Sequence, residues 1–240
     1  MERSLLSADP HPRRRGPDLP QPDGDRINHR DDTMSHIACP DQVRRASNLP
    51  LGCNAAFMLS TAVTVGLISV VGGECTGKTT LTAALGILLP AIVVTESLRR
   101  WTDDHQGRPP GPAEQHEVMN DQRTSENAAM HQAAQSGYRW VVSDSGPLMT
   151  ATYSIQYYDD KVLMPVALRW TEQSTLVVWC QDDIAWHNDP QRDGIHHRHR
   201  SQEILTTLFA DNPQLPMLPV RGSLSSRIRT VLRCCATAIP

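Results

Sequence analysis

From about residue 64 onward, short apolar runs alternate with longer polar stretches of helix-forming residues. The segment 64–71 is rich in Val and Ile, carries no charge and reads as a buried strand. Lys78–Leu88 reads as a helix, and 91–95 as a second short strand. A polar stretch over 112–136, with a proline near its start, predicts a long helix. A third strand is expected at 139–143, followed by helices at 148–158 and 161–171. Leu176–Cys180 reads as a fourth strand, 201–209 as a helix and 215–220 as a fifth strand. An amphipathic helix over 224–235 closes the chain. Strands that alternate with helices predict an α/β fold in three layers, a parallel sheet covered on both faces.

The first 60 residues follow no such rhythm. They hold eight arginines, eight acidic residues and many prolines, without apolar periodicity. Such a stretch buries too little to form a core, so residues 1–60 are expected to be a disordered leader and 61–240 the working domain. The run Arg13-Arg14-Arg15 is followed by no apolar segment of signal-peptide length. The apolar stretch 55–71 holds several Ser and Thr and leads into a glycine loop, which suits a buried strand better than a membrane span. Met34 and Met58 are alternative starts.

Composition narrows the partners. The chain has 240 residues and a formal net charge of −3, from 23 basic and 26 acidic residues. That argues against a generally basic nucleic-acid binder and against a polybasic membrane clamp. Only Lys78 and Lys161 are lysines, so any lysine chemistry rests on one of them. The six cysteines form neither a CxxC pair nor a recognisable framework, which predicts reduced thiols in a cytoplasmic protein.

The sharpest motif is Gly72-Gly73-Glu74-Cys75-Thr76-Gly77-Lys78-Thr79, with Thr80 next, which fits GxxxxGK[ST] between a strand and a helix. Glycines let backbone N–H groups turn inward around phosphate oxygens, and the helix N-terminus adds unpaired donors and a positive dipole end. Lys78 suits the β- and γ-phosphates of ATP, and the Thr79 hydroxyl suits Mg²⁺. No guanine-reading NKxD is present, and the chain is short for a motor ATPase.

Two acids sit at strand ends, where an open parallel sheet faces its ligand crevice: Glu96 and Asp144. Asp144 is placed to hold Mg²⁺ or an acceptor hydroxyl. Glu96 is placed to take the acceptor's proton, and either acid is a candidate base. Each also fits a plain helix cap or first-turn charge. Arg99 shares a helix face with Glu96. The stretch 97–135 is expected to supply acceptor contacts, with Arg99, Trp101 and Gln122 as candidates. After the fourth strand comes a polar stretch with Trp186, Asp189, Arg192, Asp193 and Gly194, then His196-His197-Arg198-His199-Arg200. It reads as a closing lid whose Arg192 and Arg198 reach the phosphates, or as a solvated helix face. Arginine neighbours and the lack of a nearby Cys argue against a metal site there.

These motifs, in this order, resemble the family of the ribosylnicotinamide kinase domain of NadR, a NadR-like group of AAA ATPases. The resemblance covers about 64–232. The loop is similar to the family's GxE[ST][ST]GK[ST], including Glu74. Glu96 and Arg99 match ExxR, and Asp144 to Thr150 is similar to D-T-[DT]-x-[LI]-x-T. Trp186, Asp189 and Arg192 match the lid entry W-x-x-D-G-x-R, and Gly222 with Arg227 matches the last loop and helix. Cys75, Gly146 and Pro190 depart from the family's usual residues. The resemblance implies a P-loop NTPase sandwich of nucleoside-kinase type, with the Asp144 strand beside the P-loop strand. It implies ATP- and Mg²⁺-dependent phosphoryl transfer to a small nucleoside-like acceptor, nicotinamide riboside first among them. A nucleotidyltransferase domain does not fit into the leader, so a stand-alone kinase-like domain is expected. The alternative is an ATP-binding regulatory or scaffold NTPase without kinase activity.

Overall fold

The computed structural model describes residues 64–186 and 195–238. The expected leader, and Asp189, Pro190, Arg192, Asp193 and Gly194, lie outside the described residues. Five strands form one parallel sheet: β1 (Gly66–Val71), β2 (Ala91–Val94), β3 (Trp140–Asp144), β4 (Leu176–Cys180) and β5 (Met217–Val220). Their order is β2-β3-β1-β4-β5, which puts β1 at the centre with β3 and β4 on either side. The strand ending in Asp144 therefore lies beside the strand that feeds the glycine loop, with Val70 opposite Asp144.

Alternation along the central strands sorts the core into two faces. Ile68, Val70, Val142 and Val178 pack with Leu81 and Leu85 of α1 (Lys78–Leu88) and Val231 of α7 (Leu224–Ala238). On the other face, Val71 and Val177 pack with Met119 of α3 (Gln115–Ser136), Leu148 and Met149 of α4 (Pro147–Tyr158), Ala167 of α5 (Met164–Thr171), and Leu205 and Phe209 of α6 (Ile195–Asp211). Leu67, Val94 and Val141 meet Ala129 and Ala133 of α3. Strands buried on both faces explain why the sequence shows near-continuous apolar runs there. Near the C-terminal ends of β1 and β3 the α3-facing positions turn polar, at Ser69 and Ser143, both buried. Those buried hydroxyls face the side of the sheet where α3 packs, next to Asp144.

Three expectations need adjustment. The helical stretch over 97–135 is two helices, α2 (Ser97–Asp104) and α3, parted by a turn at Gly107, whose φ is 86°, and a short 3₁₀ turn at Pro112–Glu114. A left-handed φ is glycine's province and stops the first helix. The helix expected at 201–209 starts at Ile195, so His196 to Arg200 form its first turns and are not loop. Dense His and Arg hid that start, because such a run has little apolar periodicity. Cys75, Cys180 and Cys235 are outside any disulfide, but Cys234 is disulfide-bonded, against the expectation of reduced thiols throughout. The cysteine spacing gave no framework from which to read it.

Among the described residues no helix is long and apolar enough to cross a membrane.

Candidate functional site

Val71 ends the central strand and the chain turns at once. Gly72 takes a φ of 145°, and a Cβ there would lie 2.6 Å from the Cys180 carbonyl oxygen at the end of β4. No other residue fits that turn without displacing backbone. The Gly72 N–H donates to the Met149 sulfur at 3.4 Å, which ties the loop to α4. Cys75 holds a φ of 54°, and Gly77, at 81°, is the N-cap of α1. The Thr76 hydroxyl and the Lys78 ammonium both donate to the Gly73 carbonyl, at 2.8 and 2.9 Å. Lys78 is thus folded back into the loop, using one of its three N–H donors there. Thr79 and Thr80 are exposed at the start of α1. α1 has no acidic residue in its first turn, so nothing anionic of its own offsets its positive dipole end.

The rest of the loop's support was not read from the sequence. Arg227 in α7 is 1% exposed and reaches under the loop. It donates to the carbonyls of Thr76 (2.6 Å), Gln181 (3.2 Å) and Gly222 (3.0 Å), and pairs with Asp183. One guanidinium therefore joins the phosphate loop, the segment after β4 and the turn before α7. The signal in the sequence was positional only: an arginine five residues after Gly222.

Asp144 is 4% exposed, and its Oδ1 is buried without a hydrogen-bond partner. Buried carboxylate oxygens are almost always satisfied, so this one is set up for a cation or its water. Glu96 occupies the N-cap position of α2 but makes no cap hydrogen bond, and it pairs with the exposed Arg99 at 3.6 Å. Glu74 accepts from the Tyr157 hydroxyl at 3.1 Å. Burial pushes the hydroxyl of Tyr153 well above the usual phenol range, and the charges of Glu96, Glu74 and Asp144 add to this, as does Tyr157. Three acids from three separate elements thus converge around one tyrosine of α4.

Arg198 is placed differently from the expected lid contact. It is 2% exposed and donates to the backbone carbonyls of Asp182 and Ile184, the latter at 2.8 Å. Its own carbonyl lies over the loop, where a Cβ on Gly73 would come within 2.7 Å of it. The first turns of α6 cover the loop by backbone, while the guanidinium points to the β4–α6 connection. His197 stacks on Tyr157 with centroids 5.1 Å apart, and Ser201 bonds Gln156, which dock α6 on α4. Trp101 is stacked on His105 at 4.0 Å, so it is a packed aromatic. Gln122 is wholly buried with its amide engaged and cannot contact an acceptor. Among the described residues no group of three or more His, Cys, Asp or Glu is gathered to hold a metal.

The AAA domain family profile matches residues 67–227. The chain belongs to that family. The AAA domain spans the sheet from β1 to the arginine of α7 that supports the loop. No curated protein matches in sequence. Among solved structures, a NadR protein in complex with NR aligns with a TM-score of 0.56 and 17% identity, covering 73% of this chain and 52% of that one. NadR in complex with NAD and AMP-PNP aligns at 0.55 and 16%, covering 73% and 50%. Thymidylate kinase from Candida albicans aligns at 0.55 and 10%, covering 72% of this chain and 92% of that one. The chain spans about half the length of the NadR structures it matches. The AAA domain here therefore has the fold of the P-loop nucleoside and nucleotide kinases.

Proposed function

We propose that this chain is an ATP- and Mg²⁺-dependent small-molecule kinase. It moves the γ-phosphoryl group of ATP to a hydroxyl of a nucleoside-like acceptor, with nicotinamide riboside as the leading candidate. The observation that carries the reading is the unpartnered, buried Asp144 carboxylate oxygen on the strand beside the phosphate loop. The motif order and the likeness to NadR in complex with NR support the acceptor class.

In this reading the amides of Gly72, Gly73, Glu74, Cys75, Thr76 and Gly77 cradle the phosphates. Lys78 leaves the Gly73 carbonyl to meet the γ-phosphoryl oxygens. Thr79 and Asp144 would hold Mg²⁺, which would supply neutralisation of the phosphate charge. The acceptor oxygen forms the new P–O bond as the bond to ADP breaks, and its proton passes to Glu96 or Asp144. Arg192 closes on the phosphates. Arg198 supports that closure through the backbone it holds.

A coupled ADP-release screen over nucleosides tests this. Nicotinamide riboside is expected to stimulate release, and Lys78→Ala and Asp144→Ala to lower it by about 100-fold or more. Release unchanged in Lys78→Ala would sink the mechanism. Tight ATP binding with no acceptor-stimulated release would move the chain to the nucleotide-binding regulators.

A further inference from the structure

Glu96 poses a question of its own. An acid at an N-cap normally spends its carboxylate on the exposed N–H groups of the first turn. Glu96 does not, although its backbone has the extended N-cap conformation, with φ −62° and ψ 119°. The N–H of the first helical residue, which an N-cap side chain does not take, is satisfied from another helix. The Ser97 N–H donates to Oε1 of Gln122, in α3, at 2.7 Å. The same amide donates from Nε2 to Ser143 Oγ at 3.0 Å, and Ser143 donates onward to Glu126 Oε1 at 2.6 Å. Gln122, Ser143 and Glu126 are each at most 1% exposed.

The chain has one direction. A backbone N–H only donates, so Gln122 Oε1 must accept, which fixes the amide's orientation. Its NH₂ then donates to Ser143, whose single hydroxyl proton goes to Glu126. Arg123 lies 3.5 Å from the other carboxylate oxygen of Glu126. This chain joins the residue after Glu96 to the residue before Asp144 and ends on Glu126.

We infer that Gln122 is a positioning residue: it holds the first N–H of α2, next to Glu96, and fixes the start of α2 against the end of β3 that carries Asp144. The inference rests on the kinase reading for its catalytic consequence, but not for its structural one. α2 has a second, outer anchor, since Arg100 bonds Asp121 at 2.6 Å and Ser125 at 3.1 Å. Removal of the inner amide therefore leaves the helix docked.

The test is Gln122→Met, which keeps volume and loses both bonds, alongside Ser143→Ala, which removes the middle of the chain. Amide exchange followed residue by residue reads that hold directly. In Gln122→Met the Ser97 amide is expected to exchange about tenfold faster or more. Ser143→Ala is expected to speed Ser97 less, because its amide bond to Gln122 survives. In the nucleoside assay, kcat is expected to fall about tenfold or more with the KM for ATP within about twofold. An unchanged Ser97 exchange rate overturns the hold on Ser97. A faster Ser97 with unchanged kcat, or with the loss confined to the KM for ATP, overturns the positioning role. If the wild type transfers to no acceptor, the kinase reading fails, and the exchange measurement still decides the hold on Ser97.

Discussion

At the residue scale, the polar side chains that matter are those committed to groups far away in sequence. Gly146 shows the tightness this produces. Its added Cβ would lie 2.4 Å from Ser69 Oγ and 3.2 Å from Glu126 Oε1. Gly146→Ala is expected to cost about 1–3 kcal/mol in urea unfolding. Ser69→Ala in the same chain should recover part of that, because the Ser69 Cβ lies at an ordinary 3.6 Å. Glu126 gives a pH signature. Burial raises its carboxyl above the usual value of 4.5, against the lowering effects of Ser143 and Arg123. A raised carboxyl means that the folded chain holds its proton to higher pH than the unfolded chain. Stability from this group is complete below about pH 4.5 and is lost as pH rises through the folded value. Glu126→Gln should therefore flatten the fall of melting temperature with rising pH. Equal slopes in the two proteins would show that burial is not the dominant influence on this group.

Elements were legible where one periodicity ruled. Lys78–Leu88 and Leu176–Cys180 coincide with their expected bounds, because each is a clean apolar or amphipathic run. The early start of α6 was not legible, since what holds its first turns is Arg198 on backbone carbonyls, a contact with no local pattern. Arg227 was hidden for the same reason. Because it joins the loop, the segment after β4 and α7, Arg227 predicts a measurable failure. Arg227→Met should lose about 2–3 kcal/mol, with carbonyls and Asp183 left unpaired, and should weaken ATP binding. Denaturation and fluorescent-nucleotide titration read these two losses separately. A variant that is destabilised but binds ATP normally would limit Arg227 to holding α7. Gln122 was a candidate acceptor contact by its place in the 97–135 stretch, but it is buried at 1% exposure and its amide is tied to Ser97 and Ser143.

For the whole molecule, alternation of strand and helix carried the fold, and the acids at strand ends followed from sheet geometry. The sheet order has a consequence for how the protein is made. β1 is the first strand to be synthesised, yet its neighbours are β3 and β4. Roughly 110 residues separate Val71 from the end of β4, which on a ribosome takes on the order of 5–20 s. Until β3 follows, the central strand has no partner on either side, and until β4 follows one flank stays open to capture by chaperones or to mispairing. The glycine loop, packed against the end of β4 at Cys180, lacks that wall until then.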